Sequence, residues 1–246
     1  EDVVSILDMK ADLDDKILKI GEKISIRRFE KVTADVVASY IHGGGRIGVL
    51  VAGNGASDDA AKEALTNIAM QIAAMNPQYI SRDEISADEL AKMKEITIDS
   101  ALNDPFSLPK PVLSKLIEKA VAGVWSAEDV AIYEEKKSNM NFLPNFLSKE
   151  AKAQLAEIAC ADKEEISGNK IFSGLVEGRI SKQMKEICLL DQVYVKAEDG
   201  KQTVAAYLKS VNPALKIAKF VRFEVGEGME KKNEDFAAEV AKQMNV

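Results

Sequence analysis

The sequence has few of the residues that bind metals or cross-link folds. It holds one histidine, His42, and two cysteines, Cys160 and Cys188. A structural zinc site needs four such ligands in clustered pairs, which three scattered residues cannot supply, so no metal site is expected. Two cysteines are too few for a disulfide scaffold and fit a reduced, cytoplasmic chain, with one bridge left open. No apolar run approaches the roughly 18 residues of a membrane span, so no membrane partner is expected. Basic residues are outnumbered: 33 Lys and Arg against 40 Asp and Glu give a net charge of −7. That balance excludes a broad nucleic-acid surface and leaves room only for a local basic face.

What remains is a globular chain of 246 residues, 46% hydrophobic and 30% charged, long enough for one to two domains with a sizeable core. Its first residue is Glu1 rather than Met, and the expectation is a piece of a longer protein.

Hydrophobic spacing predicts a helix over 2–20, stopped by Gly21. Three strands are expected next, at Lys23–Lys31, Val36–Ile41 and Arg46–Ala52, as an antiparallel meander with Gly43-Gly44-Gly45 in its second turn. Ser57 then caps a helix with the stripe Ala61, Leu65, Ile68, Ile72 and Met75, ended by Asn76-Pro77. From about 81 to 190 helical stripes dominate: Leu90/Met93/Ile96, Val112/Leu116/Ala120/Val124 and Ile171/Leu175/Ile180/Met184/Ile187. Ser86-x-x-Glu89 and Ser126-x-x-Asp129 read as capping boxes, and Trp125 as a packing residue beside the second. After Asp191 a short strand at Val193–Lys196, a helix at Thr203–Ser210, a strand at Ile217–Val225 and a closing helix at Glu234–Gln243 are expected. An echo of Ile26–Glu30 in Lys219–Glu224 fits two related half-domains, and fits chance equally.

The expected fold class is therefore α+β: two small antiparallel-sheet/helix subdomains with an inserted helical, coiled-coil-like hairpin. The expected boundaries are 1–80, 81–190 with extra elaboration near 104–165, and 191–246.

Candidate chemistry dissolves on inspection. Gly43-Gly-Gly-Arg-Ile-Gly48 satisfies the G-x-G-x-x-G pattern, but phosphate binding there needs a helix after the glycines, and a strand-like run follows. His42-Gly-Gly-Gly mimics a lipase oxyanion loop, yet no G-x-S-x-G elbow accompanies it. The acidic residues read as solvated faces, and Asp235-Phe236 as a first-turn acid with a core aromatic. No catalytic residue, cofactor or enzyme activity is expected; such a chain works by contacts.

Several strings, taken together, resemble one family. They are Lys19–Phe29 (KIGEKISIRRF), Tyr40–Val51 (YIHGGGRIGVLV), Ile68–Pro77 (IAMQIAAMNP), Val176–Arg179 (VEGR), Leu189–Gln192 (LLDQ) and Phe220–Gly228 (FVRFEVGEG). Their order and spacing resemble bacterial elongation factor Ts, the guanine-nucleotide exchange factor family of elongation factor Tu. The resemblance implies a translation factor that promotes GDP release from elongation factor Tu by protein contacts. It implies a projecting coiled-coil hairpin that meets the partner or a second copy of itself. It also places the family's amino-terminal module and Thr-Asp-Phe-Val segment upstream of Glu1. Asp235-Phe236 is no substitute for that segment, because it aligns with the family's carboxy-terminal helix. Partner contact is expected at the hairpin turn, at His42, Gly44 and Arg46; Leu189, Gln192 and Phe223 are expected in the core or at corners. The alternative function is a self-associating structural or dimerisation module without exchange activity.

Overall fold

The computed structural model describes residues 8–228. The expected closing helix Glu234–Gln243, with Asp235-Phe236, lies outside them, as does the start of the helix expected over 2–20. Contacts divide the chain into two units, Glu1–Asn76 with Ala205–Val246, and Pro77–Val204.

In the first unit, helix α1 (Lys10–Ile20) ends at Gly21, whose φ of +79° lets its N–H reach the Ile17 carbonyl. The segment Lys23–Lys31, expected as a strand, is not one. Ile24 and Ile26 alternate, but the charged run that follows is held by its side chains rather than by a backbone ladder. Arg27 donates to the Glu227 carbonyl at 2.6 Å. Arg28 donates to the Glu227 carboxylate at 2.6 Å and lies 4.2 Å over the Phe223 ring. Lys219 pairs with Glu30 at 3.0 Å. The two strings that echo one another in sequence thus touch.

β-branched and aromatic residues in alternation give strands β1 (Val36–His42) and β2 (Ile47–Asn54), paired antiparallel from Val36↔Gly53 to His42↔Ile47. Helix α2 (Asp59–Met75) follows. Its cap is Asp58, one residue later than the expected Ser57, with the carboxylate accepting from the Ala61 N–H at 2.8 Å. Ala61, Leu65, Ile68 and Ile72 are buried as the spacing predicts, while Met75 is exposed in the last turn. Each of the three large side chains contributes about 2 kcal/mol of burial, and together they seat α2 on β1 and β2. Asn76 ends the helix in a left-handed conformation, φ +46°.

Strand β3 (Lys216–Glu224) pairs antiparallel with β2, from Ile47↔Glu224 to Asn54↔Lys216. Among the described residues there is accordingly one sheet, ordered β1-β2-β3 and built from both ends of the chain, where the sequence suggests one for each end. The free edge of β2 is satisfied by β3 instead of by a local neighbour. Gly55 permits the close approach behind this sheet: its φ is +91°, and a Cβ there would lie 2.1 Å from the Ala214 carbonyl oxygen.

The second unit is closed at its base by a bridge between Tyr79 and Cys188, with Gln78 N–H on the Ile187 carbonyl and Leu189 N–H on the Tyr79 carbonyl, at 2.8 and 2.9 Å. Its helices are α3 (Ala87–Asn103), α4 (Lys110–Val121), α5 (Ala127–Lys136), α6 (Lys149–Ala161), α7 (Lys163–Ser167) and α8 (Lys170–Ile187). Helix α9 (Val204–Val211) follows and leads to β3. The Ser86/Glu89 capping box forms in full on α3. Leu102, Leu116, Ile117, Leu143, Leu155 and Phe172 centre the core of the helical unit. On α8 the buried stripe is Phe172, Val176 and Met184, and Ile171 is 54% exposed, so the expected stripe is rotated by about one residue at its start. Both faces are apolar there, and the larger Phe172 ring takes the interior. Val193–Lys196 is not a strand: only a Val193–Thr203 bridge forms, because successive turns, Ala197 N–H to Tyr194 and Gly200 N–H to Ala197, fold the loop back. Leu189 and Gln192 are buried and Phe223 is half-buried, as expected.

Candidate functional site

The turn joining β1 to β2 spans Gly43 to Arg46. Gly43, Gly44 and Gly45 have φ of +61°, +66° and +95°, a left-handed run that other residues enter only at a cost. This is why three glycines stand in succession. They are followed by a strand, so no helix N-terminus faces them and the dinucleotide pattern has no phosphate cradle.

The tip is exposed from Ile41 through Arg46. His42 is the last residue of β1 and Arg46 immediately precedes β2; the Arg46 carbonyl accepts from the Val225 N–H at 2.9 Å. His42, Gly44 and Arg46 are therefore brought together on one loop, in solvent. Ile41 and Val225, 66% and 74% exposed, add apolar surface at the same end of the sheet. Register places Tyr40 and His42 on one face with Val49, Arg222 and Glu224. That face turns toward α2, since Arg222 donates to the Ala73 carbonyl at 3.4 Å and pairs with Glu224 at 2.7 Å.

Beside the tip, Arg28 and the Glu224 N–H hold the Glu227 carboxyl below the usual carboxylate range. Sequence reading missed this cluster; the signal available was the paired Arg27-Arg28 facing the acidic run after Phe223. It paired Asp129 with Ser126 as a capping box but missed that this carboxylate is only 6% exposed and that Ser148 is its second partner. Burial pushes that carboxyl up, but the Ser148 N–H with the Ser126 and Ser148 hydroxyls outweighs it, and the net direction is down. Ser126 caps α5 and Ser148 caps α6; Asp129 joins the two caps.

A groove of about 410 Å³ in the helical unit is lined by Arg82, Ile85, Leu90, Lys94, Ile180 and Met184 among others, and is largely apolar. Among the described residues no three His, Cys, Asp or Glu side chains are placed to hold a metal ion. Both cysteines are free thiols, Cys160 exposed and Cys188 buried. No helix among these residues is long and apolar enough to cross a membrane.

The chain is thus an α+β protein with a glycine-tipped β-hairpin whose turn is exposed. Comparison with known sequences is specific. A profile of the family described as Elongation factor TS matches residues 5–135 and 138–227. The chain is 38% identical to elongation factor Ts of Clostridioides difficile (strain 630) over 236 residues, covering 94% of this chain and 58% of that protein. It is 36% identical to elongation factor Ts of Clostridium botulinum (strain Eklund 17B / Type B), covering 93% and 57%. It is 35% identical to that of Halothermothrix orenii, covering 97% and 58%. The chain belongs to the elongation factor Ts family. It spans somewhat more than half the length of these relatives.

Proposed function

We propose that this chain acts in translation elongation as part of a guanine-nucleotide exchange factor, gripping elongation factor Tu in the cytoplasm and promoting GDP release without covalent chemistry of its own. The observation that carries this reading is that the string Tyr40–Val51, on which the family resemblance rests, forms a β-hairpin whose turn, Ile41–Arg46, is exposed. His42, Gly44 and Arg46 are the proposed contacts: an imidazole, a bare backbone and a cation that a partner surface reaches without displacing anything. Exposed loop tips on rigid strands are well suited to recognition.

In the helical unit, α3 and α8 pack together and their chain ends are joined at the Tyr79–Cys188 bridge. These two helices are the proposed arms of the inserted helical hairpin, elaborated near 104–165.

The energetic logic is linkage. A GTPase holds GDP through phosphate contacts and a magnesium ion. A partner that favours the nucleotide-free form weakens GDP binding, and GDP weakens partner binding by the same factor. The test is release of fluorescent GDP from elongation factor Tu. Expected are a complex at micromolar concentration and a release rate that rises with added chain. Absence of any complex refutes the proposal, and a concentration-dependent homodimer without partner binding establishes the self-association alternative.

A further inference from the structure

The hairpin tip carries one contact that docking alone does not use. Tyr40 and His42 lie two residues apart on β1, and the Tyr40 hydroxyl oxygen is 3.0 Å from His42 Nδ1. The rings are 5.9 Å apart, tilted by 40°. Tyr40 is half-buried and paired opposite Val49 within the sheet, so its hydroxyl is carried on a rigid strand, whereas His42 is exposed. A phenol donates more readily than it accepts, and the unprotonated ring nitrogen of a neutral imidazole is a good acceptor. The role of one ring nitrogen is set by the bond the other makes.

We propose that Tyr40 is a positioning residue that holds His42 in its Nε2–H form, so that the tip presents a hydrogen-bond donor and the partner atom it meets is an acceptor, a backbone carbonyl or a carboxylate oxygen. Arg46, exposed on the same turn, offers only donors, and the two side chains therefore ask for the same partner chemistry. This inference rests on the reading of His42 as a docking residue.

His42 is the only histidine in the sequence, so ring 15N–1H correlation spectra of the full chain report it without ambiguity. At about pH 9, where imidazole in general is neutral, the wild type is expected to show Nε2 as the N–H nitrogen and Nδ1 as the acceptor. Tyr40→Phe, with the rest of the spectrum unchanged, is expected to show tautomer averaging. In binding to nucleotide-free elongation factor Tu, His42→Ala is expected to weaken the complex about tenfold and Tyr40→Phe about threefold. The double variant is expected to match His42→Ala, because Tyr40 acts through His42. An Nδ1–H tautomer, a tautomer ratio indifferent to Tyr40→Phe, or a Tyr40→Phe loss that persists in the His42→Ala background overturns the proposal. Wild-type affinity in His42→Ala removes the docking role and the acceptor assignment with it, while the spectrum of the free chain decides the tautomer separately.

Discussion

Replacing Asp129 by alanine removes three hydrogen bonds to one buried carboxylate: from the Ser148 N–H at 2.9 Å, the Ser148 hydroxyl at 2.9 Å and the Ser126 hydroxyl at 2.8 Å. Bonds to an ionised acceptor each net about 1.5–3 kcal/mol, but these share one group and add incompletely. The same two serines cap α5 and α6 through the Asp129 and Ala151 N–H groups, at 3.1 and 3.0 Å, and both caps lose orientation when the carboxylate goes. The expected loss is about 3–4 kcal/mol, and about half of that for Asp129→Asn, which keeps an acceptor. Urea unfolding at pH 7 followed by fluorescence reads this junction directly. Trp125 is the single tryptophan; its indole N–H donates to the Ala151 carbonyl at 2.9 Å and its ring meets Tyr133 edge-on at 6.2 Å. A loss under about 1 kcal/mol with an unchanged urea slope would show that the carboxylate does not hold the caps.

The same carboxyl carries a pH signature. Its pKa is lowered on folding, so its contribution is complete above the unfolded value of about 3.9 and is lost as pH falls through the lower folded one. Acid titration of Trp125 fluorescence should therefore show a shallower fall in Asp129→Asn than in the wild type. Phe172→Ala, which empties the centre of the helical core, should cost about 3–5 kcal/mol by the same fluorescence readout. In the other unit, Gly55→Ala should raise hydrogen exchange across β2 far more than Gly44→Ala. The first drives a methyl into the Ala214 carbonyl, whereas the second meets nothing within 4 Å and costs only its left-handed φ, about 1–2 kcal/mol. Equal effects would mean that backbone conformation, not crowding, governs both.

Much of the first unit was legible because local chemistry decides it. The β1 and β2 alternation, the glycine turn, the α2 stripe from Ala61 to Ile72 and the β3 pattern survive in the structure. Lys23–Lys31 misled because alternation records what a strand would bury, not whether a neighbouring strand offers hydrogen bonds. The cap moved from Ser57 to Asp58 because either side chain suits the position, and the start of the helix is set by how α2 seats on the sheet. In the helical unit, α8 is apolar on two faces around Ile171 and Phe172, and spacing alone does not choose between them. Asp129 was legible only as the local capping acid of Ser126, because its other partner, Ser148, lies nineteen residues on, beyond any local pattern. The exposed tip was legible from its glycines, whereas the Tyr40 contact emerged only with the strand geometry.

The route of the chain through its sheet also orders events during synthesis. The central strand gains its second neighbour only after the whole stretch from Pro77 to Val204 has left the ribosome. Until then the nascent polypeptide shows an unzipped β edge, an adhesive surface in a crowded cell. The intervening helices, stabilised by near neighbours, can settle early, while closure of the sheet carries the slow, long-range loop entropy. A stalled or truncated product ending before Lys216 would keep that edge bare, which makes the docking of β3 the step on which orderly maturation depends.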